Sequence, residues 1–304
     1  MRKLIFLLVV VALTISSGCG LRPSDSALPV KPELSIWGVF DRTEQWQPIL
    51  AAYPDTDIAY RKWLFEEYEG VLLSELQKGG GPDLLMIHAN WLERYRDFLA
   101  PVEVDLTNFL PETSRWQGIG LPLGLDNLNL AVNPALLKVS AVPSSWQGML
   151  DLAKTHSGYL LAVGDFGNVD RPQDLRSIIP TDIYRQLAQV AWSAAAPDFI
   201  EAFNRGQVAI VPAYQYTASR LTGSWQGVSL PENKTVFNYY VLAINKNSQH
   251  IKEAQRFLQF LSGREQMLKY CQQTGQPSPR TDIGRQDCGV EDKYEVFWEN
   301  RGKR

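Results

Sequence analysis

Leu121-Pro-Leu-Gly-Leu-Asp-Asn-Leu-Asn-Leu-Ala-Val-Asn133 decides how this chain is read. Leu121, Leu123 and Leu125 alternate, Asp126 and Asn127 interrupt, and Leu128, Leu130 and Val132 resume in the other register. A dense apolar run without a helical stripe is a strand buried on both faces, as in the sheet of an α/β protein. A carboxylate inside such a strand needs a partner, because desolvating it alone is expensive. Two partners are open to Asp126: a nearby backbone N–H, or a ligand met where the chain passes from one lobe to another. The flanking sequence favours the ligand.

Upstream, strands and helices alternate. Leu34–Phe40 is a strand run that stops at Asp41, and Trp46, Ile49, Leu50 and Tyr53 form the stripe of an amphipathic helix. Asp57–Arg61 is a strand, Tyr68, Leu72 and Leu76 mark a helix, and Asp83–Ile87 is a third strand with His88–Trp91 at its C-terminal end. This alternation predicts a parallel sheet covered by helices. Gly79–Gly81 precede a strand and lack a following Gly-Lys-Ser/Thr, so they read as a helix C-cap rather than a phosphate loop. Downstream, Trp146, Met149, Leu150 and Leu152 predict a helix, Tyr159–Val163 and Val208–Pro212 buried strands, and Thr235–Ile244 a second long extended run. Ala254, Phe257, Leu258 and Leu261 predict an amphipathic helix, and Ser262-Gly-Arg-Glu265 a capping box opening the next.

With 304 residues, 45% of them hydrophobic, the chain is long enough for two cores. Met1-Arg-Lys, the apolar run Leu4–Ile15 and Ser16-Ser-Gly-Cys19 resemble a bacterial lipoprotein signal, in which Cys19 becomes the lipidated first residue. Ser16 stands where Leu is usual. The proline-rich stretch 20–32 reads as a tether. Removing residues 1–18 takes Arg2 and Lys3 from 30 basic side chains, leaving 28 against 33 acidic ones and a charge of −5. That balance excludes a nucleic-acid partner. Cys271 and Cys288, an even pair on the exported side, are a disulfide candidate.

Catalysis and metal binding find no motif. His88, His156 and His250 are scattered, with no Gly-x-Ser-x-Gly elbow and no His-Glu-x-x-His pair. The positive signal is aromatic. Of nine tryptophans, Trp37 and Trp91 fall near strand C-termini, where open α/β sheets bind ligands, whereas Trp46, Trp63, Trp146 and Trp192 read as core. Aromatic faces stack on sugar C–H surfaces, and carboxylates and amides take hydroxyls. No Arg or Lys cluster is expected near the cleft, which argues against a phosphate or sulfate ligand.

Ile36-Trp37, Gly81-Pro82-Asp83, Asn90-Trp91, Leu121-Pro-Leu with Asp126, Phe203–Ile210, Asn238–Ser248, Ala254–Leu261 and Gln276–Arg280 occur in an order that resembles the family-1 extracellular solute-binding proteins. These are sugar-binding lipoproteins of ABC importers, of the maltose-binding-protein type. The resemblance runs from Glu33 to Asp282 and implies a two-lobed periplasmic-binding-protein-like α/β fold with hinge crossings. Between Pro134 and Lys234 the chain is short for that family, so a reduced second lobe is expected. The expected organisation is lobe one over 33–119 with 243–275 returning to it, crossings at 120–129 and 236–242, and lobe two over 130–235. Residues 276–304 form a C-terminal segment back on lobe two. The candidate ligand set is Trp37, Asp41, Asn90, Trp91 and Asp126 from the first lobe side, with Asp165 or Asn168, Tyr214, Tyr216 and Tyr239 facing them. The resemblance further implies a carbohydrate ligand, an ABC permease as partner, a lipid anchor on the extracytoplasmic face, a monomer and no cofactor. A sensor or adhesion module on the same fold and a secreted hydrolase are the alternatives.

Overall fold

The computed structural model describes residues 33–54, 56–156, 159–161, 178–191, 196–234 and 236–290. The expected leader with Cys19, the tether, Asp165, Asn168, Trp192, most of the helix expected over Arg171–Ile179 and the piece Tyr294–Asn300 lie outside these residues.

β1 (Glu33–Gly38) buries Leu34 and Ile36 completely, and α1 (Thr43–Leu50) turns Trp46 and Ile49 inward. β2 (Asp57–Lys62), α2 (Phe65–Gln77) and β3 (Leu84–His88) follow, and α2 ends in a turn where Gly79 takes φ +79°, a conformation open to glycine without strain. A helical stretch with α3 (Leu92–Tyr95) then leads to β4 (Leu121–Asn127). β5 (Asn129–Val132), α4 (Trp146–Thr155), β6 (Tyr159–Leu161), α5 (Thr181–Val190), α6 (Ala196–Asn204), β7 (Val208–Ala213), α7 (Gln215–Ala218) and β8 (Gln226–Val228) build the second region. β9 (Phe237–Ile244), α8 (Ile251–Ser262) and α9 (Arg264–Thr274) return to the first.

Two sheets result. The first has order β2-β1-β3-β9-β4 and the second β6-β7-β5-β8. β1, β2 and β3 are parallel, as the alternation predicts, but β9 is antiparallel to both β3 and β4. The reason is the path. β4 leaves the first sheet in the direction of β1–β3, and β9 comes back between β3 and β4 from the opposite end. The C-terminal ends of β1 to β4 therefore all point toward the second sheet.

The opening stretch is strand on both sides of Leu128 and buried at every position from Leu121 to Val132. Its crossing is narrower than residues 120–129. β4 stays paired with β9 to Asn127, β5 begins pairing with β7 at Asn129, and Leu128 alone lies between the sheets. The Leu128 N–H donates to the Val236 carbonyl at 2.9 Å, so the outgoing and returning crossings are bonded to each other. Likewise most of residues 236–242 is β9, because ladder pairing satisfies backbone groups that a free crossing would leave to water.

Local motifs are mostly structural. Asp83 accepts from the Ser35 N–H and hydroxyl, both at 2.8 Å, and from the Ser248 hydroxyl, which ties β1, β3 and the end of β9 together. The stripe Ala254, Phe257, Leu258, Leu261 is buried as a unit. The capping box at Ser262 does not form. Gly263 is the N-cap of α9, and the Ser262 hydroxyl donates back to the Gln259 carbonyl at 2.8 Å, completing α8 instead. Only Gly263 separates the two helices, so the serine belongs to the first.

Candidate functional site

A cavity of about 640 Å³ opens at the C-terminal ends of β1 and β2. Phe40, Asp41, Arg42 and Gln45 reach it from the β1–α1 turn, and Lys62, Trp63 and Leu64 from the end of β2. Gln215, Ser219 and Arg220 close it from the side of the second sheet, and Gln272–Gln276 with Cys288–Val290 form the remaining wall. Its place follows from topology: strand ends leave a crevice that helices do not fill.

The wall is braced from behind. Trp63 lies with its ring 4.8 Å from that of Trp37, and the Arg61 guanidinium sits 3.8 Å from the Trp63 ring centroid. Asp41, only 1% exposed, accepts from the Trp46 indole at 3.0 Å, the Tyr270 hydroxyl at 2.9 Å and the Gln276 amide at 3.2 Å. Cys271 and Cys288 are joined by a disulfide with Cα atoms 5.5 Å apart, which fastens the Cys288–Val290 wall to α9. Gln215 ties the two sides of the cleft. Its N–H donates to Asp126 Oδ1 at 2.6 Å, and its side-chain amide donates to the Gly275 carbonyl.

Among the described residues no helix is long and apolar enough to cross a membrane, and no cluster of His, Cys, Asp and Glu is placed to hold a metal ion. A family model for bacterial extracellular solute-binding proteins matches residues 50–294, most of the chain. The chain belongs to this family. The fold of this solute-binding protein is shared with the GacH receptor of Streptomyces glaucescens, solved unliganded and with acarbose, at 14% identity over 90% of this chain and 86% of that one, TM-score 0.72. It is shared with maltose-bound T. maritima MalE3, at 17% identity over 90% and 88%, TM-score 0.68. It is shared equally with PotD, a spermidine/putrescine ABC transporter substrate-binding protein of Streptococcus pneumoniae, at 16% identity over 90% and 91%, TM-score 0.67. No curated protein matches significantly. Family members are binding proteins rather than enzymes and act outside the cytoplasm.

The solute-binding protein distributes the candidate residues unevenly. Asp41 lines the cavity. Trp37 is half-buried behind Trp63 and does not line it. Asn90 is exposed in the turn Ala89–Trp91, away from the cavity, and Trp91 is 2% exposed and packed against His88. Asp126 is 1% exposed and held by Gln215 and by the Tyr240 hydroxyl, which donates to Oδ2. That arrangement is the backbone-satisfied alternative of the two open to it. Tyr214 is buried as the residue preceding α7, and Tyr239 is fully buried, its hydroxyl donating to Glu112 at 3.0 Å. Tyr216 falls within α7, its side chain outside the described part.

Two expectations are corrected. Trp63, read as core, is half-buried and lines the cavity, because it follows the end of β2 as Asp41 follows the end of β1. The strand-end rule, applied to β2, would have found it. And the cleft is not free of cations: Arg42, Lys62 and Arg220 all line it. No sequence pattern links these three. They arrive from separate elements, so no cluster exists until the chain folds.

Asp41 carries a measurable signature. Burial pushes its carboxyl up from 3.8 to about 6, against the hydrogen bonds from Tyr270 and Trp46 and the nearby Lys62 charge, which hold it down. The folded protein thus keeps this proton where the unfolded chain has released it. Stability falls as pH rises from about 4 to about 6, and the full penalty, about 2–3 kcal/mol, stands above that window. Asp41→Asn removes the titration, while Gln276 can rotate its amide to accept from the new amide. Thermal melts of both proteins from pH 4 to 8 are expected to show wild type losing stability relative to the variant as pH rises. Parallel curves would assign the titration elsewhere.

Proposed function

We propose that this protein is the ligand-capturing component of an ABC importer, tethered to the extracytoplasmic face by a lipidated Cys19, and that it captures a carbohydrate in the cleft. The observation that carries this reading is the composition of the cavity: one tryptophan, Trp63, beside the side chains of Gln45, Gln215, Gln272, Gln273 and Gln276. An aromatic plane for C–H surface surrounded by amides for hydroxyls is the chemistry of sugar recognition. Its volume of about 640 Å³ lies within the ~300–1,000 Å³ of small-molecule sites. The acarbose and maltose complexes of GacH and MalE3 support a saccharide. PotD shows that the fold also serves polyamines, but Arg42, Lys62 and Arg220 would repel a polycation.

Tryptophan fluorescence and calorimetric titration against mono- and oligosaccharides test the capture step. Saturable binding without turnover is expected, and release of hydrolysis products would overturn the reading. For the anchor, Cys19→Ala is expected to move the protein from the membrane to the soluble fraction. Each acyl chain contributes about 0.8 kcal/mol per buried CH₂, so losing them abolishes stable association. Unchanged membrane association of the variant would end the lipoprotein assignment.

A further inference from the structure

We infer that the ligand is an anionic carbohydrate, a sugar bearing a carboxylate, phosphate or sulfate group held between Arg42, Lys62 and Arg220. This rests on the carbohydrate reading above and narrows it to one class.

The three cations reach one cavity from three places. Arg42 stands in the β1–α1 turn, Lys62 ends β2, and Arg220 follows α7 on the far side of the cleft. None forms an ion pair with a described residue, whereas Arg96, Arg205 and Arg256 each pair with a glutamate three or four residues away. Their mutual proximity registers on Lys62. Its ammonium is held below the usual lysine range, first by partial burial and further by the Arg42 and Arg220 charges, with Asp41 and Glu44 acting the other way. Like charges gathered in a crevice repel, and nothing in the fold requires the gathering.

The nearby acids do not cancel them. Asp41 is the one carboxylate among the described lining residues, and its two oxygens are already engaged by Trp46, Tyr270 and Gln276 inside the wall. Glu44 lies outside the cavity lining and ranks last among the influences on Lys62. Among the described residues no group compensates the three charges, and a ligand can supply one. Two lining residues also keep a buried polar atom without an intramolecular partner: the Trp63 indole N–H, a donor, and the Gln215 amide oxygen, an acceptor. An anionic sugar offers an acceptor for the first and a hydroxyl for the second.

The arrangement also spans the cleft. Arg42 and Lys62 belong to the first-sheet side and Arg220 to the second, so an anion between them attracts both walls inward. Affinity for a charged sugar therefore includes an attraction to both walls that a neutral sugar lacks.

The test is calorimetric titration of the mature, detergent-solubilised protein with glucuronate, galacturonate, glucose 6-phosphate, glucose, maltose and spermidine. At least one charged sugar is expected to bind ~10-fold or more tighter than its neutral parent, with affinity that falls as salt rises. Glucuronate against glucose 6-phosphate separates a carboxylate from a phosphate ligand. Lys62→Met and Arg220→Gln, both at exposed positions and checked for unchanged melting, are expected to erase that preference. Equal binding of glucose and glucuronate, or a preference that survives both substitutions, overturns the charge inference and leaves the carbohydrate reading in place. Binding of spermidine with no sugar bound overturns both.

Discussion

Asp126→Ala is expected to lower stability by about 3–5 kcal/mol. The carboxylate is 1% exposed and accepts from the Gln215 N–H and the Tyr240 hydroxyl. Alanine leaves both donors buried without acceptors, at about 1–3 kcal/mol each, and opens a small void besides. In a chain of this size that corresponds to a fall in Tm of roughly 10 °C. Asp126→Asn is expected to do much less. Its oxygen can still accept from the Gln215 N–H, and the Tyr240 hydroxyl can turn to accept from the new amide. The consequence extends to the cleft, because Gln215 begins α7 and also grips the Gly275 carbonyl, and Ser219 and Arg220 follow on the same segment. Loosening Asp126 therefore loosens one wall. Thermal melts and ligand titrations on the two variants decide the matter. A large loss of affinity at unchanged Tm would return Asp126 to the ligand role that its place beside the crossing suggests.

Opening the Cys271–Cys288 disulfide is expected to cost roughly 3 kcal/mol in the chain-entropy account, for cysteines 17 positions apart. The bond closes over Gln276-Pro-Ser-Pro-Arg280, which no helix contains. Backbone bonds hold that stretch along the first sheet: the Leu125 N–H donates to Pro277 and the Leu110 N–H to Pro279, each at 2.8 Å. Arg280 adds a two-pronged pair with Asp282 at 2.8 Å on each arm. These contacts keep the native state in register, so the disulfide acts mainly by restricting the unfolded chain. Cys288 is also part of the cavity wall with Gly289 and Val290. Cys271→Ser together with Cys288→Ser is therefore expected to lower Tm and to weaken ligand binding several-fold. Reductant should reproduce both effects in the wild type and neither in the double variant. Equal melting of oxidised and reduced wild-type protein would refute this account.

The elements were legible in the sequence because the signals that define them are local. Leu34 and Ile36 alternate into one face, Ala254, Phe257, Leu258 and Leu261 repeat at helical spacing, and each pattern states which side of its own element is buried. The two long extended runs, Leu121–Val132 and Thr235–Ile244, announced a chain that passes between two bodies and returns. The antiparallel seating of β9, the single-residue crossing at Leu128 and the failed cap at Ser262 were not legible, since each depends on what a distant segment does. The site was legible only as a rule about strand ends. It found Asp41 and, left unapplied to β2, missed Trp63. What an aromatic or acidic residue touches is settled by its neighbours in space: Trp91 and Tyr239 went to the core, and Asp126 to the start of α7. The charge of the cleft belongs wholly to the tertiary structure. Arg42, Lys62 and Arg220 share no pattern in the sequence, and only strand order and the return of the chain from the second sheet place them around one cavity.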